Sequence, residues 1–398
     1  MGRRVKFMHI ADLHIGLRVS RFDDATSGKI QEARFQALDK IRAKAKEAGV
    51  DFILIAGDLF DDCTVNSVDA MRVFELLKKL PIYIIPGNHD PYYPGSVWTQ
   101  SPWNKCEESS IRVLKERKPV AINDDIILYP CPVFQKKSTE DPTGWMHNIG
   151  KDRDKIHLGI AHGSVMDREF LARDDHPIPL DCPEQRGLDY LALGHWHSHK
   201  TFSDGKGICR MAYPGTHERF GFGKESGLEI GWESYSSQPD RPEFASETSG
   251  ALVVTIDKDR STTTIEPVDV GQLFWVSTIE HVNADEQFEQ VFSRYAQLPN
   301  PERTLLLLKI SGVVGAEQVL KINALRKMLQ RYLFCELDDR GLHIRPDDAE
   351  MEKLMNKGLL AELLKGLREK QNSAGTEEEK QVVEAAMRLA YELAKEFE

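Results

Sequence analysis

From the N-terminus, short apolar runs rich in β-branched residues alternate with longer amphipathic stretches. Residues 5–11 (VKFMHIA), 52–57 (FILIAG) and 82–87 (IYIIPG) are expected as buried strands. Between them, residues 29–48 set Ile30, Ala33, Ala37, Leu38, Ile41 and Ala45 at helical spacing. A second helix over 65–80 carries Val68, Met71 and Leu76 on one face and stops at Pro81. Further strands are expected at 126–129, 156–161, 190–193 and 208–213. This alternation predicts an α/β domain, a largely parallel sheet that becomes mixed where the strands crowd together, with helices on its faces. The stretch 221–250 is rich in Gly, Ser, Glu and Pro and reads as a surface excursion. ALVVTID and TTTIEPV beyond it read as a closing hairpin.

From Phe274 the pattern restarts with strand FWVSTI, helix 285–295, strand TLLLLKI, helix 317–332 and two strands, FCELD and GLHIRP. The expected organisation is a layered α/β domain over 1–270, a small α+β capping domain over 271–347, and C-terminal helices over 348–398. In that last segment Met351, Met355, Leu359, Leu363 and Leu367 fall on one helical face. Val382, Ala386, Leu389, Leu393 and Phe397 fall on another, after the break NSAGT.

A chain of 398 residues exceeds what one hydrophobic core serves, roughly 250 to 300 residues, which agrees with this division. No run approaches the roughly eighteen apolar residues that a bilayer span needs, so a cytoplasmic protein without a membrane segment is expected. The six cysteines are scattered, with no CxxC pair, as expected for reduced thiols. A net charge of -11 argues against coating nucleic acid by bulk attraction. It does not exclude a nucleic-acid enzyme, because bound cations change the surface that a substrate meets.

The informative residues lie where the expected strands end, the usual place for ligands in open α/β sheets. They are Asp12 and His14 in ADLH, Asp58 in GDLFD, Asn88, His89 and Asp90 in GNHD, His162 in AHG, and His195 and His197 in GHWH. Residues two apart in extended chain point the same way, so Asp12 with His14, and His195 with His197, can each present two donors to one point. Carboxylates, imidazoles and one amide oxygen suit Mn²⁺, Fe²⁺ or Zn²⁺. Seven donors exceed the needs of one ion. Two ions about 3.5 to 4 Å apart would use them all, the arrangement that serves displacement at phosphorus. Asp58, from the middle strand, is the candidate bridge. An imidazole beside the donor Asn88 and followed by a carboxylate makes His89 and Asp90 a candidate base and its orienter. Arg18, Tyr92 and Tyr93 are candidate DNA contacts. Trp98 and Trp103, in the same Pro-rich loop as the tyrosines, can either stack on bases or pack the loop down.

The ordered motifs DxH, GDxxD, GNHD, HG and GHxH resemble the calcineurin-like metallophosphoesterase superfamily. IADLHIG, GDLFD, IPGNHD, ALGHWH and YPGTHERFGFGK are similar to its DNA-repair nuclease branch, the SbcD and meiotic-recombination-eleven nucleases, over residues 5–224. That resemblance implies one metal on Asp12, His14, Asp58 and His197, a second on Asp58, Asn88, His162 and His195, and Mn²⁺ as the activating ion. His89 would stabilise charge on phosphorus or protonate the leaving oxygen, with Asp90 orienting it. It further implies a 3′-5′ exonuclease and single-strand endonuclease for DNA break repair or phage defence. The enzyme would be a homodimer, partnered through its C-terminal helices by an SbcC-like coiled-coil ATPase. In one departure, Asp61 stands where the archaeal and eukaryotic branch has a second histidine. Two alternatives stay open: a phosphodiesterase or phosphatase acting on nucleotides or phosphoproteins with the same metal centre, and a non-catalytic scaffold.

Overall fold

The structure, a computed structural model, describes residues 4–19, 22–108, 110–146, 152, 154–166, 175–219, 221–222, 250–345, 358–373 and parts of 375–390. The body of the 221–250 excursion therefore lies outside the described residues, as do Met351, Met355, Leu393 and Phe397. The chain divides into two compact units, Met1–Leu228 with Ala245–Phe274, and Glu229–Phe244 with Trp275–Glu398.

The first unit opens with β1 (Arg4–Ile10), α1 (Asp24–Ala48), β2 (Phe52–Ala56), α2 (Ser67–Leu77), β3 (Ile82–Ile85) and β4 (Ile111–Val113). It continues through β5 (Val120–Ala121), β6 (Ile126–Cys131), β7 (Ile156–His162), α3 (Cys182–Arg186), β8 (Tyr190–Gly194), β9 (Lys200–Ser203) and β10 (Cys209–Tyr213). It closes with β11 (Ala251–Asp257) and β12 (Thr262–Val268). One sheet runs β12-β11-β1-β2-β3-β4 and the other β5-β6-β7-β8-β10-β9. Strands β1 to β4 are mutually parallel, as are β6, β7, β8 and β10, and antiparallel strands sit at the margins.

Instead of one sheet turning mixed, the unit holds two mixed sheets face to face. Phe7, Phe52, Leu54 and Ile85 of the first sheet pack with Leu128, Leu158, Ile160 and Tyr190 of the second. The outer face of the first sheet is covered by α1 and α2 through Leu38, Ile41, Val73 and Leu77. β2 and β3 are buried along their whole length, which is why they read as continuous apolar runs rather than alternating ones. α1 begins five residues before its expected start because the Asp23 carboxylate accepts the amide of Thr26 at 2.7 Å and caps the helix there. β4 and β5 are too short for periodicity to reveal, and β9, KTFS, carries one apolar residue and so no apolar run.

The second unit contains β13 (Phe274–Val282), α4 (Asp285–Gln297), β14 (Thr304–Gly315), α5 (Ala316–Leu329) and β15 (Phe334–Arg345), with sheet order β13-β14-β15. Phe288, Val291, Tyr295, Leu306, Leu308 and Leu325 form its core. FCELD and GLHIRP, expected as two strands, are one strand. The register moves from Lys309 opposite Asp338 to Ser311 opposite Gly341, so one extra residue is absorbed as a bulge. Arg340 turns back to hold the Asp338 carboxylate at 2.8 and 2.9 Å. Helix α6 (Gly358–Ser373) follows; Ala361 and Leu364 are buried on it, whereas Leu363 of the expected apolar stripe is exposed. Among the described residues no helix is long and apolar enough to cross a membrane.

Candidate metal centre

The loops that leave the C-terminal ends of β1, β2 and β3 meet those that leave β7 and β8. The first two are laced together: Asp12 N–H donates to Gly57 O at 3.2 Å, His14 N–H to Asp58 O at 3.0 Å, and Ile15 N–H to Leu59 O at 3.0 Å. The sheets are joined at the same point, where His195 N–H donates to the Asp12 carboxylate at 2.9 Å and His162 Nδ1 lies 2.8 Å from Ala56 O. Asp12, His14, Asp58 and His195 have φ of 55°, 44°, 52° and 111°. Such left-handed backbone is costly for side-chain-bearing residues, least so for Asp and His, and concentrates at functional sites. Gly57 and Gly194 are required by packing of the protein against itself, not by room for an anion. A Cβ on Gly57 would stand 2.3 Å from His162 Nδ1, and one on Gly194 would stand 1.9 Å from Ala56 O.

All seven expected donors converge, in two nests about Asp58. In one, His14 Nε2 lies 3.0 Å from His197 Nε2 and 3.8 Å from Asp58 Oδ2. In the other, Asn88 Oδ1 lies 2.7 Å from His162 Nε2 and 2.9 Å from His195 Nδ1, with Asp58 Oδ2 3.3 Å from His162 Nε2. Donor atoms of Asp12, His14 and His197 lie within 4.8 Å of one another, as do those of Asp12, Asp58 and His162. A third such group, His14, Asp58 and His89, also includes the imidazole expected not to be a ligand.

Three of these imidazoles commit their other nitrogen outside the nest. His14 Nδ1 faces Asp61 Oδ1 at 3.2 Å, His162 Nδ1 the carbonyl of Ala56, and His195 Nε2 the Asp175 carboxylate at 2.7 Å. A nitrogen that donates outward leaves a lone pair on its inward partner. Inside each nest lone pairs then face lone pairs and carboxylate oxygens, an arrangement satisfied by a cation or a proton. The donor set therefore fits divalent ions of intermediate hardness, held by imidazoles whose tautomers are already set by their outer partners.

Charge follows the same division. Burial pushes the Asp58 carboxyl up, but His162 and His14 outweigh it and hold it well below the usual range. Burial lowers His162 while Asp58 and Asp12 carry it up to about 9. Burial, then the neighbouring His14, presses His197 down to about 2. Burial drives Asp12 upward, the Asp58 charge adding to it against the pull of His162. These shifts favour a positive charge in the second nest, the place that a metal ion would take.

His89 meets His14 edge to face, with ring centres 4.7 Å apart, and its Nδ1 lies 2.9 Å from Asp61 O. Asp90, expected to orient it, does something else. Its carboxylate is fully buried and accepts Gly87 N–H at 2.7 Å and Phe60 N–H at 3.0 Å, which fixes the GNHD turn against the loop after β2. The Asp61 carbonyl takes the orienting place, and the Asp61 side chain serves His14. Of the candidate DNA contacts, Arg18 and Tyr93 are exposed, while Tyr92 is half-buried against the core. Trp98 and Trp103 are wholly buried with Phe60 and so unavailable to bases. His199 lies outside the nests, its Nδ1 3.2 Å from Tyr213 O.

Sequence reasoning missed two supporting residues. Asp175 belongs to no motif and carries no signal beyond being acidic. Arg34, buried in α1, donates to Leu13 O from Nε at 3.1 Å and Nη2 at 2.6 Å, and to Glu218 O from Nη1 at 3.1 Å. A lone charged residue among Ile30, Ala33, Ala37, Leu38 and Ile41 was the available sign.

Residues 5–199 match the calcineurin-like phosphoesterase family. Over 209 residues the chain is 29% identical to the uncharacterized metallophosphoesterase YhaO of Bacillus subtilis (strain 168), covering 50% of each protein. Over 220 residues it is 26% identical to the DNA double-strand break repair protein Mre11 of Methanococcus maripaludis, covering 52% of this chain and 56% of that one. The chain thus spans about half the length of the curated relatives it matches. The crystal structure of TT1561 of Thermus thermophilus superposes on 66% of this chain and 98% of its own, with a TM-score of 0.41 and 11% identity. The nested Asp, His and Asn donors at the strand ends lie within the matched stretch, and residues 5–199 belong to the calcineurin-like metallophosphoesterase superfamily.

Proposed function

We propose that the protein is a metal-dependent phosphodiesterase acting on DNA, in which Asp12, His14, Asp58 and His197 hold one divalent ion and Asp58, Asn88, His162 and His195 a second. The observation that carries this reading is the convergence of two donor nests on the shared Asp58, with His89 at their edge. When bound, the ions supply charge neutralisation at phosphorus and an activated water. The protein's part is to aim the donors, keep their imidazoles in the metal-accepting tautomer, and place His89. With Nδ1 turned to the Asp61 carbonyl, the neutral ring presents an Nε2 lone pair to substrate, and as the imidazolium it presents a proton that stabilises the developing oxyanion or passes to the leaving oxygen.

Mn²⁺ as the ion, and DNA as the polymer in break repair or phage defence, rest on the strand-end motifs and the likeness to the archaeal repair protein. The second unit would cap the DNA. Exposed Leu363, Val382 and Leu389 near the C-terminus support a docking role there for an SbcC-like ATPase, within a homodimer in the cytoplasm. The test is end-labelled single- and double-stranded DNA with Mn²⁺, beside cyclic nucleotides and phosphopeptides. Cleavage of DNA supports the proposal. Hydrolysis of the small substrates alone replaces it with a nucleotide phosphodiesterase or phosphatase.

A further inference from the structure

A cavity of about 540 Å³ lies beside the metal centre, lined among others by Arg117, Phe134, Gln135, Lys137, Thr139 and His176. Its size is that of a small-ligand site. Two cations line it against one carboxylate, Glu140.

The cavity and the metal centre share a wall one residue thick. Asp175 Oδ2 lies 2.7 Å from His195 Nε2 and accepts Ser164 Oγ–H at 2.7 Å. The next residue, His176, lines the cavity. The segment is pinned on both sides: His176 N–H donates to Ser138 O at 2.9 Å, and Ser164 N–H to Asp175 O at 3.1 Å. His176 is 4% exposed and holds a left-handed φ of 51°. Its ring bonds the Lys136 backbone, yet Nε2 has no hydrogen-bond partner. A buried polar atom in that condition is uncommon, and a ligand in the adjoining cavity accounts for it.

The rim adds an aromatic platform. Phe134 is 40% exposed, with the Arg117 guanidinium 5.3 Å from its ring centre and Tyr92 edge-on at 6.5 Å. The Lys115 ammonium stands 5.7 Å from the Tyr92 ring. An exposed aromatic face, neighbouring cations and a buried hydrogen-bond acceptor match the three parts of a nucleotide: base, phosphate, and hydroxyl or amino group.

We propose that this cavity is a nucleotide subsite. It takes a nucleoside monophosphate unit across the Asp175–His176 wall from the metal centre, with the base against Phe134, the phosphate toward Arg117 and Lys137, and a hydroxyl or amino proton given to His176 Nε2. The proposal rests on the phosphodiesterase reading and refines it. The unit can come from a free nucleotide or from a single strand.

The test is fluorescence anisotropy of the full chain, in chelator so that nothing is cut, with a methylanthraniloyl-labelled deoxyadenosine monophosphate and a short labelled single-stranded oligonucleotide. Wild type should bind, Arg117→Ala and Phe134→Ala should each weaken binding about tenfold, and Phe134→Trp should retain it. Melting temperatures establish that the variants are folded. Binding of both probes assigns the site to nucleotides in general, and binding of the oligonucleotide alone assigns it to a strand. No binding by wild type, or equal binding by wild type and both alanine variants, overturns the subsite. Failure of wild type with Mn²⁺ to hydrolyse bis-p-nitrophenyl phosphate would instead overturn the phosphodiesterase reading and leave the binding comparison intact.

Discussion

The Asp175 carboxylate reaches His195 Nε2 at 2.7 Å, so the nitrogen that faces Asn88 and the second nest is Nδ1. Burial raises the Asp175 carboxyl, but the hydrogen bond and charge of His195 outweigh it and hold it at about 2. Asp175→Asn removes the charge and frees the tautomer. Metal affinity should fall by about 10- to 100-fold, as isothermal titration with Mn²⁺ would show, while the melting temperature without metal moves little. Unchanged affinity would mean that Asp175 does not set the imidazole.

His89 stands at the edge of the donors with one nitrogen held by Asp61 O. His89→Asn should lower kcat on bis-p-nitrophenyl phosphate by about 10² to 10⁴-fold at unchanged metal content. Loss of metal along with activity, read by elemental analysis, would make His89 a ligand instead.

Removing metal should cost stability as well as activity. An ion at a hundredfold excess over its Kd adds about 2.7 kcal/mol, so chelation should lower the melting temperature by roughly 5 to 10 °C. Equal melting with and without Mn²⁺ would contradict the fit of the nests to a cation.

Much of this was legible in the chain. β2 and β3 announce themselves because both faces are covered, so FILIA and IYII carry no charged residue. The donors cluster at strand ends because polar residues there have no packing role that would explain them. Legibility stops where partners are chosen in three dimensions. That β1 to β3 and β6 to β8 form separate sheets depends on which apolar faces meet. Asp90 follows His89 directly, and only the fold shows that it turns to two amides while Asp61 serves the imidazoles. Asp175 became visible only with its position against His195.

His9 lies buried in β1 between Tyr190 Oη at 3.1 Å and Leu193 O at 3.0 Å. Burial brings it down to about 3. Between pH 3 and 6.5 the unfolded chain binds this proton and the folded chain does not, so stability falls as pH drops through that window. The loss from pH 7 to pH 5 is about 2 kcal/mol from this residue. Urea titrations of wild type and His9→Gln should show a flatter pH profile for the variant, and parallel profiles would exclude His9 as the source.

Arg34 ties α1 to the DxH loop by two hydrogen bonds to Leu13 O, and to Glu218 O by a third. Arg34→Met takes both side-chain donors from buried Leu13 O and leaves Glu218 O with that of Thr216 Oγ1, at a cost of about 3 kcal/mol. Chemical denaturation measures it. Since Leu13 lies between Asp12 and His14, Mn²⁺ affinity should drop in the same variant. A loss below about 0.5 kcal/mol would place the loop's rigidity elsewhere.

The Asp12 carboxylate of one sheet holds the His195 amide of the other, and His162 of the second reaches Ala56 of the first. Ions gripped from both sides would act as a rivet through the sandwich. Neither layer can slide or peel away while coordination lasts, and no ion can depart without loosening the seam. Metal retention and the hold between the layers are then linked, so loading the ions raises the temperature at which the sandwich parts.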